Sequence, residues 1–451
     1  MIGNRDLFYL SVWVLVGLVA FCTAKSNRWA GAGIPLAFFV NMALNHWFGA
    51  VVSFLPWYTP VGGFRVVEEG FEISTLGLIG FAIGCFAIAP WLTRVHVEAD
   101  RPHVPLPSRH VFHVFMTVGI ACYLGMALGL GAIPSATAVL YTGSNLVLVS
   151  ICIGLWHSRL EGDRGRFVLL LASAALLPLF TIVTQGFLGY GVSYAMVIVC
   201  FVVAATRLRW RWVVVGLALG FAALSFFVTY MRYRGEIRSA VWGGRDYGTR
   251  LESVQRIWQD FEWFDPYDKD HLLAIDWRLN LNWFVGAAAS HLETTKSFAN
   301  GETIWMAALA LVPRAIWPSK PVEAGSMGLV STYTGLKLDE STSWGMGLIF
   351  EFYINFRRYG VFVGLLLIGA LVGVADRRAG AALRFGEPCD FAMWFMVGIV
   401  MLDVAGSLVE IMPGLVASVL IGLGLRRFVG PQSSGDTVVA MEEQPVEPAN
   451  R

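Results

Sequence analysis

The sequence predicts an all-α fold, a polytopic membrane helical bundle of about 11 transmembrane helices with one large external (periplasmic) loop region. Three observations predict it. Of 451 residues, 56% are hydrophobic and only 14% are charged, with a mean hydropathy of +0.61, whereas soluble domains carry about 25% charged residues. Apolar runs near the length of about 20 residues that a bilayer demands recur along the chain. The loops between them alternate between arginine-rich and arginine-poor, the sign of alternating sides.

The spans are read at 7–24, 33–55, 73–93, 110–132, 136–156, 167–184, 187–206 and 212–230, then at 359–375, 391–408 and 411–425. The first run lacks a small-residue cleavage site and is expected to be a retained span. Lys25 and Arg28 follow the first span, and Arg94, Arg101 and Arg109 the third. Arg159, Arg164 and Arg166 follow the fifth, and Arg207, Arg209 and Arg211 the seventh. These loops share one side, the cytoplasm by the excess of positive charge. Glu68, Glu69 and Glu72 and the short turns near Pro134 and Gly186 then lie outside, with the N-terminus and the long loop after the eighth span. The run 344–356 is short and holds Glu351, so it is expected to be re-entrant or interfacial rather than crossing. This puts Arg377, Arg378, Arg384, Arg426 and Arg427 inside but leaves Arg357 and Arg358 outside. A crossing there would reverse both assignments.

Four regions follow: residues 1–230 as a bundle of about eight helices, 231–358 as the external region, 359–430 as the C-terminal membrane helices, and 431–451 as a polar, disordered cytoplasmic tail. Within the external region, 249–264 reads as an amphipathic helix and 279–292 as a second helix begun by Arg278. Asp265 to Asp276 reads as an acidic turn, and Asn300 or Thr303 as the cap of the next short helix. The net charge of +1 points away from nucleic acid. Six scattered cysteines form no metal spacing and read as packing residues.

The chemistry concentrates in Leu311 to Pro321, LVPRAIWPSKP. Pro313, Pro318 and Pro321 fix φ, and Val312, Trp317 and Lys320 before them are pushed toward extended backbone. Arg314 and Lys320 therefore project from stiff chain, suited to a phosphate or diphosphate. Trp317 suits a sugar face or the headgroup layer. The plainer reading is a proline-rich turn with snorkelling cations. Arg232, Arg234 and Arg278 complete an external cationic set, each of which can equally flank a membrane segment or pair with an acid. Glu351, among apolar residues with Tyr353 and Asn355, is either a general base or the counter-ion of an external arginine. Asp403 and Glu410, in the outer part of the last span pair, are second-choice carboxylates that read more readily as structural. His46, His271 and His291 are candidate proton acceptors, with no metal-binding spacing among them.

Asp276-Trp277-Arg278-Leu279, the LVPRAIWPSKP run and the Glu-x-Tyr-x-Asn-Phe core at Glu351, Tyr353, Asn355 and Phe356 carry a resemblance. In this order, around a large external loop, they resemble the bacterial O-antigen polymerase or oligosaccharide repeat-unit polymerase family. Related patterns have a glycine after the Asn-Phe pair, where this chain has Arg357. The resemblance implies a membrane glycosyltransferase of the bacterial inner membrane. It would move a growing glycan from one polyprenyl diphosphate to the next repeat unit, in O-antigen, capsule or exopolysaccharide synthesis. Arg314, Arg278 and Lys320, with Arg232 and Arg234, would bind the diphosphate, Glu351 would position or deprotonate the acceptor hydroxyl, and Trp317 and Tyr353 would touch sugars. The implied partners are the polyprenyl-diphosphate-linked glycan, membrane lipid, and a chain-length regulator and a flippase of the same pathway. No cofactor or metal is implied. Alternatives are a lipid-linked glycan ligase, a polysaccharide or lipid transporter, and a non-catalytic assembly subunit.

Overall fold

The computed structural model describes residues 3–26, 29–93, 108–133, 135–206, 211–314, 316–321, 326–337 and 345–429. Arg28, Arg94, Arg101, Arg207, Arg209, Pro134, Trp344 and the polar tail 431–451 lie outside the described residues. The described chain is helical throughout. In order it runs α1 (Asn4–Lys25), α2 (Ile34–Met42), α3 (Phe48–Ser53), α4 (Phe64–Ile83), α5 (Ala89–Leu92), α6 (Ser108–Ala127), α7 (Ala136–Ser144) and α8 (Leu146–Glu161). There follow α9 (Arg164–Gln185), α10 (Leu188–Ala205), α11 (Arg211–Trp242), α12 (Tyr247–Gln259), α13 (Lys269–Arg278), α14 (Asn282–Thr295), α15 (Glu302–Ala310) and α16 (Ser326–Thr334). The chain closes with α17 (Leu348–Phe385), α18 (Pro388–Met401) and α19 (Leu408–Val429). Among the described residues, ten segments are long and apolar enough to cross a bilayer, and α18 is a shorter apolar helix of 14 residues. The protein is a multi-pass, all-α membrane bundle.

The two ends of the bundle are marked by charge pairing. At one end Arg5 and Arg358 both bond Glu72, with Glu69 3.9 Å from Arg358. Arg358 thus sits with the acids in the first turns of α4 and with the N-terminal helix, as the non-crossing scheme requires. At the other end Arg377 donates to the Thr93 hydroxyl at 2.6 Å and to the Trp29 carbonyl at 3.4 Å. Asp376 beside it accepts from Trp29, Ala32 and Ile34 at 2.6 to 2.9 Å. The chain between these ends, 359–376, crosses once.

The expected boundary at 356–357 is a break inside α17. Phe356 and Arg357 leave helical geometry, Arg357 at φ 57° and ψ −151°. That region is nearly reserved for glycine and costs another residue about 1–3 kcal/mol. Arg357 keeps it while its guanidinium lies over the Phe298 ring at 4.4 Å. The segment 348–355 is therefore a short buried helix set at an angle to the long one, consistent with a run that does not cross.

Several local expectations are corrected. Only the first part of the acidic stretch, 265–268, is a turn; Asp268 then accepts from the Asp270 and His271 N–H groups at 2.8 and 3.3 Å and so caps helix α13, which takes the rest. The cap of α15 is Gly301 at φ 95°, not Asn300 or Thr303. The eighth span does not stop at 230; α11 continues to Trp242, because Arg232 to Arg238 prolong it on a mixed polar face. The amphipathic helix ends at Gln259, and α14 starts at Asn282 rather than 279. The tenth run ends as helix at Met401, and an irregular turn carries 402–407.

Candidate functional site

A cavity of about 1960 Å³ opens between α2, α7, α9, α10, α11 and α19. Leu217 and Arg238 both line it and lie about 30 Å apart along α11 by the helical rise. That matches the hydrocarbon thickness of a bilayer. Its long wall is apolar, with residues such as Val139, Leu179, Phe221 and Leu420. Arg234 and Arg238 line it one helical turn apart, Arg238 and Arg278 both lie within electrostatic reach of Tyr230, and Arg314 and Lys320 line it as well. Asp403 and Glu410 line the same space. Irregular backbone at membrane depth is tolerated where it lines a cavity, which accounts for the 402–407 turn there.

Each cation is held by a separate local device. Arg278 is the last residue of α13. Asp276, two residues earlier, accepts from Tyr58, from the Val61 N–H and from Asn280 at 2.6 to 2.9 Å, which pins α13 to the 54–63 loop. Between α2 and α3 one π turn, Ala43–Trp47, displaces the carbonyl ladder, and Asn45 accepts from the Leu281 N–H at 2.9 Å. The chain leaving Arg278 is thereby fixed. Burial pushes the Arg278 guanidinium below its ordinary value. Lys320 is itself buried, and its Nζ donates to the carbonyls of Ala310 at 3.2 Å and Val312 at 2.7 Å. It caps the C-terminus of α15, where a cation is favoured by the helix dipole. Burial, then the Arg314 charge, lowers its pKa. Arg314 donates to the Pro318 carbonyl at 3.1 Å, so the proline-rich run folds back on itself.

Arg234 and Arg238 come from the last turns of α11. Arg238 lies over the Phe187 and Trp242 rings, at 4.4 and 5.1 Å. Arg234 Nη2 and Arg238 Nε are buried and have no hydrogen-bond partner among the described residues. A buried N–H without an acceptor costs about 1–3 kcal/mol, more for a charged group. Arg238 was not among the residues expected from the sequence; its i+4 spacing from Arg234 on a continuing helix was the available signal.

Other expected site residues fall elsewhere. Arg232 lies on the opposite side of α11 and donates to Glu262 at 2.7 Å, beside buried His271. That bond holds the Glu262 carboxyl below its usual range. Trp317 is 40% exposed and does not line the cavity. Glu351 and Tyr353 are buried and do not line it either. Glu351 Oε2 accepts from the Leu408 N–H at 2.7 Å, at the start of α19. Oε1 has no full hydrogen bond among the described residues. Asn355 docks α15 on α17, accepting from the Gly301 N–H at 2.8 Å and donating to Thr303 at 2.7 Å. His46 is buried against Asn282 and Ser74 at 2.9 and 3.1 Å and away from the cavity.

Asp403 faces the cavity and accepts from the Gly406 N–H at 3.0 Å. The arrangement as a whole is an apolar channel lined by five cations, with two carboxylates in the same chamber. It can seat an amphiphile with an anionic head.

A model of the family described as a domain of unknown function (DUF8712) matches residues 75–386, and the chain belongs to that family. The matched stretch holds every cavity cation and Glu351 but ends before Asp403 and Glu410. No curated protein and no solved structure matches the chain.

Proposed function

We propose that this member of a family of unknown function is a glycosyltransferase that joins polyprenyl-diphosphate-linked oligosaccharide units. The reaction takes place at the outer face of the bacterial inner membrane. One observation carries the reading: five cations line a cavity whose long wall is apolar and of bilayer length. A lipid diphosphate has that shape and that charge. Arg234 and Arg238 hold buried N–H groups that need an acceptor, and diphosphate oxygens supply one. The same cations stabilise the charge that develops on the leaving diphosphate during transfer. The resemblance of the Arg278 stretch, the proline-rich run and the Glu351 segment to repeat-unit polymerases supports the same assignment.

A transporter of the same lipid is the second reading. The break at Arg357 and the 402–407 turn are discontinuities of the kind transporters place around a substrate site. One experiment separates the readings. A strain lacking the chromosomal copy is complemented with wild type or Arg314→Ala, and its lipid-linked glycans are extracted and sized. The transferase reading expects single repeat units on the carrier in the deletion strain and with Arg314→Ala at normal membrane level. A normal ladder in the deletion strain contradicts it. Units accumulating on the cytoplasmic leaflet favour the transporter, and long carrier-bound polymer favours a ligase.

A further inference from the structure

Glycosyl transfer to a sugar hydroxyl needs a group that takes the hydroxyl proton. Glu351 is fully buried and does not line the cavity. The carboxylates that do are Asp403 and Glu410. We infer that Asp403 accepts this proton, and that Glu351 is a positioning residue acting on Asp403 through the 403–408 turn. The inference rests on the transferase reading and deepens it.

The turn carries the argument. Three consecutive backbone N–H groups each serve a different carboxylate. Gly406 donates to Asp403 at 3.0 Å, Ser407 to Glu410 at 2.9 Å and Leu408 to Glu351 at 2.7 Å. The start of α17 pairs with the same turn, Gly347 N–H to the Ala405 carbonyl at 3.0 Å and Leu348 N–H to the Val404 carbonyl at 3.1 Å. Asn41 of α2 donates to the Leu402 carbonyl. A Cβ on Gly406 would come within 2.5 Å of the Asp403 carboxylate, so this position leaves the space that carboxylate occupies. The turn is therefore held from both sides, and Glu351 is one of its pins.

The two cavity carboxylates differ in what they are free to do. Glu410 closes the first turn of α19 by accepting from the Ser407 N–H. Asp403 has one oxygen on Gly406, and its Oδ2 makes no hydrogen bond among the described residues. That oxygen, on a carboxylate that lines the cavity, is placed to accept a proton. Tyr141 of α7 and Tyr190 of α10 line the same chamber within its electrostatic reach. In the step, the acceptor hydroxyl oxygen forms the bond to the anomeric carbon of the donor glycan. The bond from that carbon to the diphosphate oxygen breaks. Its electron pair leaves with the diphosphate, held by the arginines, and the hydroxyl proton passes to the Asp403 carboxylate.

The test uses the full chain at matched membrane level in the deletion strain, with the host's own lipid-linked glycans sized on a gel. Asp403→Asn keeps an acceptor for the Gly406 N–H but cannot take the proton, and is expected to cut polymer yield by about 100-fold or more. Asp403→Glu is expected to restore part of it. Glu351→Gln still accepts from the Leu408 N–H and is expected to stay within about tenfold of wild type, one hydrogen bond's worth. Glu351→Ala, which removes that acceptor, is expected to fall further. Gly406→Ala displaces the Asp403 carboxylate without deleting it, and is expected to lower the yield at an unchanged protein level. A wild-type ladder from Asp403→Asn overturns the inference, as does a Glu351→Gln variant as inactive as Glu351→Ala. If the wild-type gene itself restores no ladder, the transferase reading falls and takes the inference with it. If wild type makes the ladder and Asp403→Asn does too, only the assignment of Asp403 falls.

Discussion

Arg232 and Arg234 stand two residues apart on one helix and have opposite surroundings. Two residues of α-helix turn the side chain by about 200°. Arg232 points outward to Glu262, in a pair whose partners are 38% and 51% exposed. Arg234 lines the cavity, where its Nη2 is buried with no hydrogen-bond partner among the described residues. The first is an ordinary surface ion pair, worth about 0–1 kcal/mol. The second is a desolvated donor held ready for an anion. Charge in a sequence therefore says little until helical phase and partner are known. The same contrast separates Glu351, buried away from the cavity, from Asp403, which opens onto it.

The comparison can be broken by mutation. The largest effect is expected from Arg234→Ala combined with Arg238→Ala, which removes the two cations with unpartnered donors. Loss of one donor to a developing oxyanion costs about 100- to 1000-fold, so polymer should collapse to single units on the carrier. Arg232→Ala should leave polymer within about threefold of wild type and stability within about 1 kcal/mol. Equal losses in the two variants, measured as ladder length at matched membrane level, would erase the distinction. A third variant sharpens the account of the framework. Arg357→Gly removes a left-handed non-glycine residue and should raise the thermal midpoint of the purified protein, by an amount equivalent to about 1 kcal/mol. Arg357→Ala keeps the unfavourable φ, loses the ring contact with Phe298 and should lower it.

Much of this was legible in the sequence, for identifiable reasons. Runs of apolar residues need a bilayer or a buried bundle, so the spans and the multi-pass architecture follow from composition and length. The grouping of loops by charge agrees with the ends marked by Arg358 with Glu72 and by Arg377 with Thr93. Arg234, Arg278, Arg314 and Lys320 were selected as cations near apolar ends, and they meet in one cavity. Their convergence was not readable, because it depends on α13 being a helix pinned by Asp276 and on the π turn that holds Leu281. Sequence patterns gave Asp265 to Asp276 as a turn, since aspartate favours both turns and helix caps and only the fold selects between them. Glu351 stood out as an acid in an apolar run. Nothing local distinguishes an acid that caps a distant helix from one that faces substrate. Asp403 looked structural for the opposite reason: a short helix ending at Met401 is invisible when its apolar run continues past the end.

The account rests on the claim that the cavity cations hold a diphosphate. The most direct measurement is calorimetric titration of inorganic diphosphate into the detergent-solubilised protein at low salt. Three proteins are compared: wild type, Arg234→Ala with Arg238→Ala, and Arg232→Ala. The account predicts saturable binding to wild type and to Arg232→Ala, and loss of at least about tenfold in affinity, roughly 1.4 kcal/mol, in the double variant. Equal binding by all three proteins, or none by wild type, would contradict it.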